Sequence, residues 1–223
     1  MAVLPSPRTP WTGAPLRVIV ATEKPVDGEV SLIAPDGRVA ATSHERLDGP
    51  PYVWFAEVAA PAAGTWRATL TRKDAPGECA KITRAITVSA AKPAPLAATA
   101  GSLWPLHASW NRDTENLFSA WIEKLFDAPL DKEPSWPALY NVVRDKSRNM
   151  LFNSLGLGED EIPMARKPDC TDMVYYLRAY FAFKVGLPFG YSRCNRNKPP
   201  TCTQCFSIVD AATISTGLGL LCW

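Results

Sequence analysis

Histidine is the scarcest residue of chemical consequence in this chain: 223 residues contain only two, His44 and His107. Neither follows Cys170, the residue on which the sharpest motif centres. Nucleophilic cysteine enzymes usually supply a histidine to take and return the proton, so the ordinary downstream pairing is excluded within this sequence. Charge of one sign is also scarce. The formal net charge is +2, and no basic run or aromatic-basic stripe suggests a nucleic-acid surface, so no nucleic-acid partner is expected. No apolar stretch approaches the ~20 residues needed to span a bilayer, and no transmembrane segment is expected. Met1 to Leu16 is rich in proline and lacks a basic n-region followed by an apolar run, so it does not read as a signal peptide. The compartment stays open: periplasmic or otherwise extracytoplasmic if a leader was removed upstream, cytoplasmic if not. Phosphate-binding glycine loops, His-Glu-x-x-His and Gly-x-Ser-x-Gly are missing too, and no cofactor is implied.

What the chain does contain is enough apolar material for real cores. Hydrophobic residues make up 47% and charged residues 21%, and the length suits two modest domains. Residues 1–14 are expected to be disordered or extended. From 15 to 90 the pattern is β. Short alternating or β-branched runs appear at Leu16–Ala21, Glu29–Ile33, Tyr52–Val58, Thr65–Thr71 and Ile82–Val88, with turn signals such as Pro35-Asp36-Gly37 between them. Trp66, Ala68 and Leu70 share one face of their run, as a period of two requires. Strands this short and this regularly spaced predict a small antiparallel β-sandwich. Residues 91–100, within a stretch of small residues and prolines, read as a linker.

Beyond the linker the pattern is helical, and residues 101–205 form the expected second domain. Asp113 or Thr114 can cap a helix carrying Leu117, Trp121 and Leu125 on one stripe. Ser135-Trp136-Pro137 opens a second helix, expected to run until Gly156 or Gly158. A third runs from about Thr171 to Val185 and is closed by Gly186 and Pro188. Its bulk on nearly every side (Met173, Val174, Tyr176, Leu177, Tyr180, Phe181, Phe183) predicts a largely buried helix. Asp169 or Cys170 occupies its cap region. A thiolate is easiest to make there, because the unpaired backbone N–H groups of a first turn favour negative charge.

Asp169-Cys170-Thr171-Asp172-Met173-Val174-Tyr175-Tyr176, followed by the turn Gly186-Leu187-Pro188, resembles the nucleophile helix of the NlpC/P60 cysteine peptidases. Those enzymes resemble papain in fold and cleave peptide stems of bacterial cell walls. The resemblance implies Cys170 as nucleophile, with Asp169, Thr171 and Asp172 supporting it or the oxyanion, and a peptide or peptidoglycan stem as substrate. Asp172 departs from the small residue that family prefers. Asp169, Cys170 and Asp172 also match the Asp-Cys-x-Asp pattern of transglutaminase-like proteins, which share the papain-like core. The N-terminal segment resembles bacterial immunoglobulin-like or fibronectin-like modules. Both cysteine families place their histidine on a strand after the cysteine helix. The apolar tail 206–223, whose only charge is Asp210, does not continue the style of the preceding domain. The chain is therefore expected to be cut short or to end in a shifted reading frame.

His107 is the one candidate for a permuted base, set against a packed or hydrogen-bonded role. His44 reads as surface loop. Cys194, Cys202, Cys205 and Cys222 leave three readings open: a zinc site needing Cys222 as its fourth ligand, disulfide pairing, or free thiols. No metal is favoured. Asn111 to Asn116 reads as helix capping, or else as a polar cleft wall. The expectation is therefore an α+β multidomain chain: a β-sandwich followed by the helical half of a papain-like cysteine hydrolase. The alternatives are a non-catalytic binding or structural protein with a degenerate module, and a transglutaminase-like protein.

Overall fold

Leu16-Arg17-Val18-Ile19-Val20-Ala21-Thr22 is buried along its whole length, on both faces of a strand. An alternating strand needs only one covered face, so this run requires a layer on either side. The computed structural model, which describes residues 1–129, 131–162 and 170–190 and not the side chains of Glu78, Cys79, Cys170 and Thr171, supplies both layers.

Among the described residues, seven strands form two antiparallel sheets. They are β1 (Ala2–Ser6), β2 (Leu16–Thr22), β3 (Gly28–Ile33), β4 (Val39–Ser43), β5 (Tyr52–Val58), β6 (Gly64–Arg72) and β7 (Lys81–Val88). One sheet has the order β1-β2-β5, the other β4-β3-β6-β7. Leu16, Val18, Val20, Trp54 and Ala56 of the first share one core with Val30, Leu32, Trp66, Ala68, Leu70, Ile86 and Val88 of the second. The two sheets therefore lie face to face as a sandwich. Trp54 ties them together further, its Nε1 donating to the carbonyl of Gly28 across the core at 3.3 Å. Trp66, Ala68 and Leu70 face inward as their spacing predicts.

The second cover for β2 is α1 (Arg112–Phe126), which packs on β1 and β2. It buries Leu117, Ala120, Trp121 and Leu125. Lys124 reaches over the ring of Phe55, on the outer side of β5, at 5.6 Å, and Arg112 pairs with Glu23 at 2.6 Å. The α1 cap is a capping box between Asn111 and Thr114. Asn111, rather than Asp113 or Thr114, is therefore the cap, while Arg112 and Asn116 reach the carboxylate of Glu23. The second helix is much shorter than its sequence pattern predicts. It covers only Leu139–Val143, as α2. The side chain of Asn149, fully buried, donates to the carbonyl of Val143 and accepts from Trp121 Nε1 and the N–H of Leu151. Asp145 accepts from Ser147. These side chains take over the backbone groups that a continuing helix would use, and the chain turns instead.

One boundary between compact units falls within 91–100, between Pro95 and Leu96, but the chain returns to the first unit at Asn111. Residues 1–95 and 111–161 form one unit, and 96–110 with the chain after 161 form the other. Both α1 and α2 thus belong with the sandwich. The first residues are strand rather than free chain: β1 pairs with β2 from Ala2 to Ser6. The supposed linker is anchored at its start, where Thr12 Oγ1 donates to the carbonyl of Ala90 and Lys92 Nζ to that of Gly156. The observed class is α+β with antiparallel sheets. Among the described residues no helix is long and apolar enough to cross a membrane.

Candidate functional site

Among the described residues of the second unit, the helix α3 (Cys170–Val185) carries the motif. Cys170 is its first residue, one position earlier than the spacing predicts, and Asp172 lies half-buried in the first turn. An acid there is favourable against the positive end of the helix dipole. Asp169 lies outside the described residues, as do Cys194, Cys202, Cys205 and Cys222 and the whole apolar tail. Thr171 is described in its backbone only.

The helix is held from its middle to its C-terminal end. Residues Ala179 to Val185 and the following Leu187 are buried, among them Phe181 and Leu187 completely. Trp104 meets the ring of Phe183 edge-on at 5.7 Å, and its Nε1 donates to the carbonyl of Leu187 at 2.9 Å. Trp110 stacks on Phe181 at 6.1 Å, carries the Arg178 guanidinium 3.8 Å from a ring centroid, and donates to the carbonyl of Pro188. The segment 96–110 is thus a brace along the last turns of α3. The first turns are different: Val174 and Tyr175 are 58% and 48% exposed. The expectation of burial on all sides holds from Tyr176 onward and not before it.

Helix α3 ends in a Schellman motif. Gly186 takes a left-handed φ of +74°, and the N–H of Leu187 donates to the carbonyl of Ala182 at 2.8 Å. His107 is built into this end. Its backbone N–H donates to the carbonyl of Gly186 at 2.8 Å, and its imidazole lies against the Gly186 backbone. The structure therefore does not bring the two candidate catalytic residues together. Cys170 and Gly186 are separated by sixteen residues of helix, about 24 Å at the standard rise of 1.5 Å. General-base transfer needs hydrogen-bond reach or one bridging water. His107 has a packing role at the C-terminal end, while the thiol position is at the N-terminal end.

His44 lies exposed in a loop, its Nδ1 2.8 Å from a Glu29 carboxylate oxygen. Among the described residues no group of three or more His, Cys, Asp or Glu is placed to hold a metal ion. Glu159 and Asp160 are buried despite their charge. Glu159 accepts the N–H groups of Leu155 and Leu157, and Asp160 accepts that of Asn153. The signal that marks them is their place beside Gly156 and Gly158: a tight loop leaves backbone donors that only a nearby acceptor can satisfy. Comparison with known proteins yields no match, since no family model fits the chain and no curated protein or solved structure matches it.

Proposed function

We propose that the α3 unit is the helical part of a papain-like cysteine hydrolase of NlpC/P60 type, with Cys170 as nucleophile and cell-wall peptide amides as substrate class. The observation that carries this reading is the position of Cys170 as the first residue of a sixteen-residue helix. First-turn N–H groups lower a thiol's pKa and can stabilise an oxyanion. In the reaction, the Cys170 thiolate adds to an amide carbonyl, the C–N bond breaks, and the amine leaves after taking up a proton. Water then hydrolyses the thioester to release the acid and regenerate the thiol. The donor of the amine's proton is not His107, which lies a helix length away. The strand order β1-β2-β5 facing β4-β3-β6-β7 supports an immunoglobulin-like or fibronectin-like module in the same chain, serving to position or attach the enzyme.

A second reading has a specific observation in its favour. The only histidine of this unit braces the C-terminal end of α3, which suits a degenerate module kept for packing or binding. The transglutaminase-like reading differs from the first only in the acceptor, an amine in place of water.

Alkylation of Cys170 as a function of pH separates these readings, with Cys170→Ser used to subtract the other five thiols. The hydrolase reading expects an apparent pKa well below the reference of about 8.5. It also expects the same value in His107→Ala. A normal or raised pKa means a structural cysteine and ends the enzyme reading. A downward shift that His107→Ala abolishes would contradict the separation of the two residues.

A further inference from the structure

Asp27, His44, Arg46, Asp48 and Lys73 line an open pocket of about 370 Å³. It lies at the end of the β4-β3-β6-β7 sheet where β3 begins and β4 and β6 end. That volume is within the usual range of ligand sites, about 300–1,000 Å³. The backbone wall at residues 26–28 is fixed, because a different segment ties each of its three carbonyls. Val26 accepts from Arg46 Nη1 at 2.9 Å, Asp27 from the N–H of Lys73 at 2.8 Å, and Gly28 from the indole of Trp54 at 3.3 Å.

The lining is balanced in charge and nearly devoid of apolar side chains. Two carboxylates stand against two cations, and each cation already meets one. Arg46 Nη2 lies 2.9 Å from Asp48, and Lys73 Nζ lies 3.5 Å from Asp27. His44 is held from outside the pocket, its Nδ1 2.8 Å from Glu29. An anion would face Asp27 and Asp48, and a cation would face Arg46 and Lys73, so a ligand of either charge meets repulsion. An apolar ligand would find only Val26 while stripping water from charged groups. Ammonium and guanidinium groups only donate and carboxylates only accept. The ligand that fits is neutral and both donates and accepts at several points, which is the chemistry of a sugar.

A second feature continues from this pocket on the outer face of the same sheet. Side chains two apart share a face, so His44 is followed by Thr42 on β4 and Glu29 by Ser31 on β3. The strand registers then set Thr42, Ser31, Thr69 and Thr83 opposite one another, in one row across β4, β3, β6 and β7. The hydroxyls of Ser31 and Thr42 are 3.3 Å apart, and those of Thr69 and Thr83 are 3.0 Å apart. Strands are spaced by about 4.8 Å, so the row is about 14 Å long. It is uncharged, and every member both donates and accepts.

We propose that this end of the sandwich binds a neutral oligosaccharide, with one sugar unit in the pocket and the chain continuing over the hydroxyl row. Sugar hydroxyls donate to Asp27 and Asp48, accept from Arg46 and Lys73, and do both with the threonine and serine hydroxyls. A chain with equatorial linkages is flat and suits a sheet face. The inference stands independently of Cys170, since every residue it uses is in the sandwich unit.

The test titrates the ¹⁵N-labelled full chain with cellotetraose and chitotetraose, two neutral and equatorially linked tetrasaccharides. Two charged analogues accompany them: deacetylated chitotetraose, which is cationic, and a uronic-acid tetramer of the same linkage, which is anionic. The expected result is saturable shifts of the Asp27, Gly28 and Lys73 amides, and of Ser31 and Thr69, with at least one neutral tetrasaccharide. Binding should be at least about tenfold tighter than that of the corresponding monosaccharide, with no saturable shift from either charged analogue. Asp48 is 86% exposed and pairs with Arg46 alone among the described residues. Asp48→Asn is therefore expected to leave the fold intact, weaken the neutral ligand about tenfold and admit the anionic tetramer. No saturable shift with either neutral tetrasaccharide would overturn the proposal, as would equal binding of a charged analogue. Shifts confined to the pocket, with the tetrasaccharide no tighter than its monosaccharide, would overturn it too, because the hydroxyl row would then take no part.

Discussion

Trp121→Ala is expected to destabilise the sandwich unit by about 3–5 kcal/mol, the range for deleting a buried tryptophan. Trp121 is fully buried on the face of α1 that packs over the β1-β2-β5 sheet. It also donates Nε1–H to Asn149, itself completely buried. Truncation would leave a cavity against β2 and take one donor from a polar side chain that cannot reach water. Trp121→Phe separates the two costs. It retains most of the volume and loses only the donor, so its expected cost is about 1–2 kcal/mol. Urea midpoints followed by far-UV circular dichroism would measure both. The further expectation is that the strands lose protection together with the helix, because α1 is the second cover of β2. If amide exchange in β2 and β5 is unchanged in Trp121→Ala, α1 is an appendage and the unit is the sandwich alone.

The same dependence shows why part of this fold was legible in the sequence and part was not. The five strands with alternating or β-branched runs are all present, because burial of one face imposes a period of two on side chains. The two strands without that mark are β1 and β4. The first is Ala2-Val3-Leu4-Pro5-Ser6, where proline argues against a strand unless it is an edge. The second is Val39-Ala40-Ala41-Thr42-Ser43, a largely exposed edge with little apolar contrast. β4 is held mainly by its neighbour's backbone, and hydrogen bonds to backbone leave no pattern in side chains. β1 does bury Ala2 and Leu4 on one face, but over a run too short, and interrupted by proline, to read as a strand. The continuous apolar character of β2 did carry the missing information. A strand buried on both faces needs two covers, and only one lay in the β segment. The proline-rich stretch does hold one unit boundary, between Pro95 and Leu96, but the return of 111–161 to the first unit was not legible, because an amphipathic helix reads the same whichever core it covers.

For the candidate site, the helix and its position were legible and the partner was not. Gly186 and Pro188 marked the C-terminal end, and Cys170 the start, to within one residue. Whether a histidine sixty-three positions earlier reaches the thiol depends on which end of the helix the earlier segment braces. Nothing in Leu103-Trp104-Pro105-Leu106-His107 encodes that choice locally. It is made by the two indole N–H groups of Trp104 and Trp110, which find the free carbonyls of Leu187 and Pro188 just past the helix end.

Gly186→Ala puts that brace to the test and is expected to cost about 2–4 kcal/mol. A left-handed residue other than glycine costs about 1–2 kcal/mol, and Gly186 has φ +74°. The rest comes from contact. A Cβ at this position would lie 2.6 Å from the His107 ring and 2.9 Å from the carbonyl oxygen of Pro105. The ring is exposed and can rotate away, but the Pro105 carbonyl belongs to backbone fixed between Trp104 and the His107–Gly186 hydrogen bond. His107→Ala/Gly186→Ala is therefore expected to recover only part of the loss. Thermal unfolding of the four-member cycle measures this, and full recovery would place the strain on the imidazole alone. The thiol readout completes the argument. If His107 serves packing, the Cys170 alkylation profile at temperatures where Gly186→Ala remains folded should match that of the unsubstituted chain. A profile that moves with Gly186→Ala would show that the two ends of α3 are coupled, and the separation of brace from thiol would have to be abandoned.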